Sequence, residues 1–85
     1  MIDLKQIYER YPEETFLKAD GFDNAVIGVD QGSLRLIYSI TKCIDILMER
    51  DGMDYDDAVE FFNFNVSGSY VGEQTPIWAE TDFEG

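Results

Sequence analysis

Residues 40–66 read ITKCIDILMERDGMDYDDAVEFFNFNV, and this stretch carries the strongest structural signal in the chain. Its first half places Ile40, Cys43, Ile44 and Leu47 at the three- and four-residue spacing of an apolar helix face, while charged side chains fall on the opposite face. Gly52 then supplies the left-handed backbone conformation that commonly ends a helix. The pattern therefore predicts a core-facing helix that begins near Ile40 and ends before Gly52.

A second helix is expected after a short break. Asp54, with Asp57 three residues later, forms an acidic version of the capping box that starts a helix, and the apolar Met53 comes just before it. The helix is therefore predicted to begin near Tyr55. Its apolar face repeats the spacing of the first helix and is widened by two further aromatic residues; the members are Tyr55, Ala58, Val59, Phe61, Phe62, Phe64 and Val66.

The N-terminal segment also has the features of a helix start. Asp3 is a candidate N-cap, Gln6 lies at the position that closes a capping box, and an apolar stripe at helical spacing runs from Leu4 to Tyr11. Pro12 ends this stripe because a proline ring cannot continue the helix. A first helix is therefore predicted before Pro12.

Two runs rich in β-forming residues, 25–29 and 34–38, are separated by a polar segment in which Gly32 is expected to take the positive φ of a hairpin turn. An isolated hairpin is marginal in water, so a third strand is expected, and residues 75–80 are the remaining candidate. Pro76 restricts that strand to an edge or a strand start. The predicted fold is α+β, with a small antiparallel sheet of three strands covered by helices, in the order α, β, β, α, α, β.

Length and composition indicate one globular domain over residues 1–85. Hydrophobic residues make up 45% of the chain and aromatic residues 14%, which is enough for a packed core without disulfides. The first residues lack the basic and apolar regions of a secretory signal, and no apolar run reaches the length of about eighteen residues that a membrane span needs. A cytoplasmic location is therefore expected.

Charge is distributed unevenly along the chain. Eighteen acidic residues against six basic ones give a net charge of −12, and residues 51–85 contain nine acids and no Lys or Arg. Such a segment repels nucleic acid and anionic membrane surfaces and attracts basic partners. We therefore expect no direct binding of nucleic acid and no binding of membranes. The alternative is an acidic surface that serves only solubility.

The residues that usually carry catalysis or hold metals are scarce. The chain has no histidine, and Cys43 lies on an apolar helix face without an activating partner. The acidic segment 51–57 suggests calcium, but Met53 and Tyr55 occupy positions where an EF-hand loop needs oxygen ligands. We therefore predict that the protein is not an enzyme and that it has no catalytic residue, no metal site and no cofactor.

The remaining candidate is a partner-binding surface formed by acids around the start of the second long helix and by aromatic residues after it. Aromatic residues are favoured in the centres of protein interfaces. The predicted partner is a basic protein, such as a nucleic-acid-binding protein, for which this chain would act as a decoy that mimics DNA. The predicted partner-binding residues are Asp54, Asp56, Asp57, Glu60, Tyr70, Glu73 and Trp78.

Several alternatives remain open at this point. Trp78 could instead complete the core, and its strand could pair with a second copy to form a homodimer, since an uncovered edge with aromatic residues invites pairing. As a whole, the chain could be a small metal-assisted enzyme that uses carboxylates, or an acidic structural protein without a dedicated site.

Five blocks of the sequence resemble a family of small uncharacterised proteins encoded in bacterial and bacteriophage genomes. The blocks are KCIDILMERDGM at 42–53, AVEFF at 58–62, FNV at 64–66, YVGE at 70–73 and TPI at 75–77. The resemblance covers roughly residues 20–80. It implies no activity and no functional residue, but a bacteriophage connection favours a role in host takeover or in defeating host defence.

Overall fold

The computed structural model describes residues 4–68 and 72–83. It confirms an α+β fold with the predicted order of elements. None of the helices in the described ranges has the length and apolarity needed to cross a membrane. The elements are α1 (Leu4–Arg10), a short 3₁₀ helix (Asp23–Ala25), β1 (Val26–Asp30), β2 (Arg35–Ser39), α2 (Ile40–Asp51), α3 (Tyr55–Asn65) and β3 (Ile77–Ala79). The predicted cap at Asp3 lies outside the described residues.

The two long helices begin and end where the sequence predicts. Helix α2 follows β2 directly. The Ser39 hydroxyl, at the end of β2, caps the helix by accepting a hydrogen bond from the Lys42 backbone N–H at 3.2 Å. Gly52 ends α2 with a φ of 70°. Asp54 caps α3 by accepting from the Asp57 backbone N–H at 2.8 Å. Both helix starts are therefore fixed by side chains next to them in the sequence.

The sheet is mixed, so the prediction of a fully antiparallel sheet is wrong. Strand β2 is central; it pairs antiparallel with β1 and parallel with β3, with Tyr38 opposite Trp78. The chain between β2 and β3 includes both long helices and the segment 66–76. A connection of this length can return to the end of the sheet where β2 begins, which a parallel pairing requires. β3 follows Pro76 and lies at an edge, as predicted.

The hairpin between β1 and β2 turns differently from the prediction. Gly32 does not have a positive φ, whereas Leu34 does, at 56°. The Asp30 carboxylate organises the turn, since it accepts from the backbone N–H of Ser33 at 2.9 Å and from its hydroxyl at 2.6 Å. These hydrogen bonds favour the ionised carboxylate and lower the pKa of Asp30. The turn is therefore held by an acidic side chain.

The core lies between the sheet and the two long helices. Leu36 and Tyr38 of β2 are buried, whereas Ile37, which points to the other face, is only half-buried. Leu47 of α2 and Phe62 of α3 meet them from the helical side and are also buried. The helices therefore cover the more apolar face of the sheet, as the sequence indicates.

Candidate partner-binding surface

Four predicted partner-binding acids lie at the start of α3. Asp54, Asp56, Asp57 and Glu60 are all exposed, and none forms an ion pair with a basic residue in the described part of the chain. The periodicity of the helix explains their exposure, because Ala58 and Phe62 occupy its buried side. Asp54 also has a structural role as the helix cap.

Two aromatic residues share the outward face of α3 with these acids. The sequence predicts that Phe61 and Phe64 widen the apolar face of the helix, but they are 38% and 76% exposed. Together with Asp57 and Glu60 they line a shallow hollow that neither Glu73 nor Trp78 lines. The structure therefore combines carboxylates and exposed aromatic rings on one helix face.

Trp78 lies mainly in the core rather than on a separate binding surface. Its ring packs on Tyr38 with the ring centroids 5.1 Å apart, and edge-on against Phe62 at 5.3 Å. Its indole nitrogen is buried and has no hydrogen-bond partner among the described residues. What remains accessible of this half-buried residue lines a hollow with Leu17 and Pro76. The main contacts of Trp78 are thus those expected from the alternative in which it completes the core.

The other two predicted residues lie away from α3 along the chain. Glu73 is exposed in the turn before β3, near Thr75, whose carbonyl accepts from the Arg35 guanidinium at 2.6 Å. Tyr70 lies outside the described residues. The structure therefore places Asp54, Asp56, Asp57 and Glu60 at α3, whereas Glu73 lies in the turn before β3.

A groove between α2, α3 and the residues after β3 was not predicted. It has a volume of about 380 Å³, and its acidic lining residues are Asp45, Glu80 and Asp82. Sequence reasoning missed it because Asp45 is far from the other two along the chain. One local signal existed: Glu80 and Asp82 are two residues apart, which places their side chains on the same side of an extended segment.

Two buried ionisable side chains, Cys43 and Tyr38, line neither the groove nor the two hollows described above. Burial raises the pKa of the Cys43 thiol to about 12, because the thiolate is poorly solvated inside the core. Burial likewise raises the pKa of Tyr38 to about 12. Both groups are therefore neutral at physiological pH, which makes the Cys43 thiol a poor nucleophile.

Neither a metal cluster nor a known relative assigns a function to these surfaces. Within residues 4–68 and 72–83, no group of three or more His, Cys, Asp or Glu side chains is placed to hold a metal ion. Comparisons with protein-family models, with curated proteins and with solved structures found no match for this chain. The resemblance to small bacterial and bacteriophage proteins therefore stays a prediction.

Proposed function

We propose that the protein is a cytoplasmic, non-enzymatic binding module whose acidic surface engages a basic partner. One observation carries the proposal: the acids of the C-terminal third that the structure describes are all exposed, and this third contains no basic residue. A uniformly anionic surface attracts cationic proteins and accelerates their association. A protein that binds nucleic acid presents a matching surface, since it contacts phosphates with Lys and Arg.

The outward face of α3 adds apolar contact to this charge. Duplex DNA gains binding free energy from the release of condensed counterions, which a compact acidic protein holds in much smaller number. Charge alone therefore does not allow the protein to compete with DNA for a basic groove. Phe61 and Phe64 offer exposed aromatic surface beside Asp57 and Glu60, and phenylalanine is among the residues enriched in the centres of protein interfaces.

The test compares two triple variants that remove equal charge. In the α3 variant, Asp56→Asn, Asp57→Asn and Glu60→Gln are combined, and Asp54 is left intact because it caps the helix. In the matched control, the exposed acids Glu9, Glu13 and Glu14 are changed to Gln.

Each protein is used to elute proteins from DNA-cellulose loaded with a cell extract, and the eluted proteins are identified by mass spectrometry. The wild type and the control variant should displace the same DNA-binding proteins, and the α3 variant should not. Calorimetry on one identified protein should give an affinity that falls with salt less steeply than its affinity for DNA. Equal elution by the two variants would refute the α3 surface as the contact.

Self-association through β3 stays a second prediction about partners. In the described sheet, β3 pairs with β2 on one side only and is an edge strand. The net charge of −12 opposes pairing between two copies, and salt weakens this repulsion. Light scattering at high protein and salt concentration should detect a dimer, and a strictly monomeric mass contradicts it.

A further inference from the structure

We propose that the groove between α2, α3 and residues 80–82 receives a Lys or Arg side chain from a basic segment of the partner protein. This inference rests on the proposed function and specifies the chemistry of the partner at a second surface. The groove is formed by the consecutive helices α2 and α3 and by residues 80–82, which follow β3 and are distant from both helices in the sequence.

The apolar lining of the groove suits the aliphatic part of such a side chain. Ile40 and Ile44 of α2 contribute one side, and Val59 of α3 contributes the other. Ile44 is buried, and the other two are half-buried. Lys and Arg commonly bury their methylene groups along apolar surface while their charged ends remain near water. The groove offers this combination of surfaces.

The acidic lining suits the charged end. Asp45 is exposed on α2, and Glu80 and Asp82 are exposed on the segment after β3. Lys42, three residues before Asp45 on α2, forms no ion pair with it in the described structure. The three carboxylates do not form a group that could share a metal ion. Their placement around an apolar groove instead fits an elongated organic cation.

Tyr55 gives the groove a second means of binding a cation. It is 61% exposed and lies on the same side of α3 as Val59 and Asn63. The face of a tyrosine ring attracts a guanidinium group that lies over it, through a cation–π interaction. From Tyr55 to Asn63 the helix rises about 12 Å, which matches three to four residues of an extended chain at about 3.3 Å each. The groove therefore fits a short extended segment as well as one side chain.

The segment that carries Glu80 and Asp82 is tied to the body of the protein. The hydroxyl of Ser39, the buried cap of α2, lies 2.9 Å from the hydroxyl of Thr81 in a hydrogen bond. Groups that are held in place before binding lose less conformational entropy on binding. Charge complementarity then selects the occupant: a second copy of this chain carries a net charge of −12 and is repelled, whereas a basic segment is attracted.

The test uses tetra-arginine and tetra-lysine peptides as probes, with spermidine as a free cation. Binding is measured by calorimetry, and the site is mapped by backbone amide chemical shifts. Tyr55→Ala changes no charge and should weaken tetra-arginine binding about two- to fivefold. Its matched control is Tyr8→Ala on α1, which should have no effect. Asp45→Asn combined with Glu80→Gln should weaken the binding of both peptides. The loss of affinity should be about three- to tenfold larger than in the control, Glu9→Gln combined with Glu13→Gln, which removes the same charge.

Three outcomes would overturn the inference. Equal losses in the groove variants and their controls would show that the peptides are held by diffuse charge. Spermidine that binds as tightly as the peptides, and shifts the same amides, would show that the groove takes a free polyamine. Wild-type protein that binds neither peptide would show that the groove has no affinity for basic segments. The proposed function is judged separately, by elution from DNA-cellulose, where the α3 acids are changed and the groove is intact.

Discussion

Replacing Tyr38 by Phe should destabilise the protein through one hydrogen bond. Tyr38 is fully buried on the central strand, and its hydroxyl accepts from the backbone N–H of Ala19 at 2.8 Å. This bond ties the irregular segment 12–22 to the sheet. Phenylalanine keeps the ring and its packing on Trp78, whose centroid is 5.1 Å away, but it removes the acceptor. The variant therefore isolates the hydroxyl.

The cost follows from leaving the Ala19 N–H without an acceptor in a partly buried place. An unsatisfied donor of this kind costs about 1 to 3 kcal/mol. For a domain of this size, each kcal/mol lowers Tm by about 4 to 8 °C. A loss near 1.5 kcal/mol thus corresponds to a Tm about 6 to 12 °C lower at pH 7. Tyr8→Phe is the control, because Tyr8 is 41% exposed and its hydroxyl makes no hydrogen bond within the described residues.

Tyr38→Phe should also change how the stability of the protein depends on pH. The pKa of Tyr38 is raised from 10.0 to about 12 on folding, so the folded protein holds this proton more tightly than the unfolded chain. The contribution of this proton to the free energy of unfolding is complete below pH 10 and is lost as the pH rises to 12, at about 1.4 kcal/mol per pH unit. The wild type should therefore lose its advantage over Tyr38→Phe between pH 10 and 12.

The assay is urea denaturation followed by tryptophan fluorescence, at pH 7 and at steps from pH 9 to 12. Unfolding free energies come from linear extrapolation with a shared slope. Equal stability of the wild type and Tyr38→Phe at pH 7 would refute the role of the Ala19 hydrogen bond. A difference that stays constant up to pH 12 would refute the linkage between tyrosine ionisation and unfolding.

Three further predictions concern the core and the backbone. Leu47→Ala and Phe62→Ala, at buried positions, should each cost about 2 to 5 kcal/mol, and unchanged urea midpoints would contradict the observed packing. Cys43 should react with a thiol reagent in the native protein far more slowly than in denaturant, because it is fully buried and its pKa is raised to about 12; equal rates would contradict this. Gly52→Ala should lower the free energy of unfolding by about 1 kcal/mol because Gly52 has a positive φ. Gly28→Ala, in a strand with open space beside it, should leave this free energy unchanged or raise it by up to about 1 kcal/mol. Calorimetric Tm values of the two variants that move in the same direction would refute the distinction.

The sequence predicts the strands less closely than the helices. Both strands of the hairpin begin one residue later than predicted, and β1 contains an irregularity between Val26 and Gly28. Because of it, Val26 is buried and Val29, three residues later, also packs on the core. A strand with strict alternation would place these two side chains on opposite faces. Pairing with the neighbouring strand therefore decides which side chains of β1 face the core.

The candidate surfaces divide in a similar way. The exposure of Asp56, Asp57 and Glu60 could be predicted, because helical periodicity alone separates them from Ala58 and Phe62. Whether the Trp78 ring completes the core or faces a partner could not be decided from the sequence, since this depends on its contacts with Tyr38 in the sheet and Phe62 in α3. The groove could not be predicted from the sequence either, because its acidic residues come from two segments that are distant along the chain.

The sequence by itself determined the helical hairpin of this protein. Ser39, Gly52 and Asp54 act on backbone groups a few residues away, so a short stretch of sequence is enough to predict their effect. The tertiary structure alone decided the direction of β3, the place of Trp78 and the shape of the groove. Each of these depends on where a long connection brings distant residues together. Local hydrogen bonds cannot specify that, whereas burial of the shared core can.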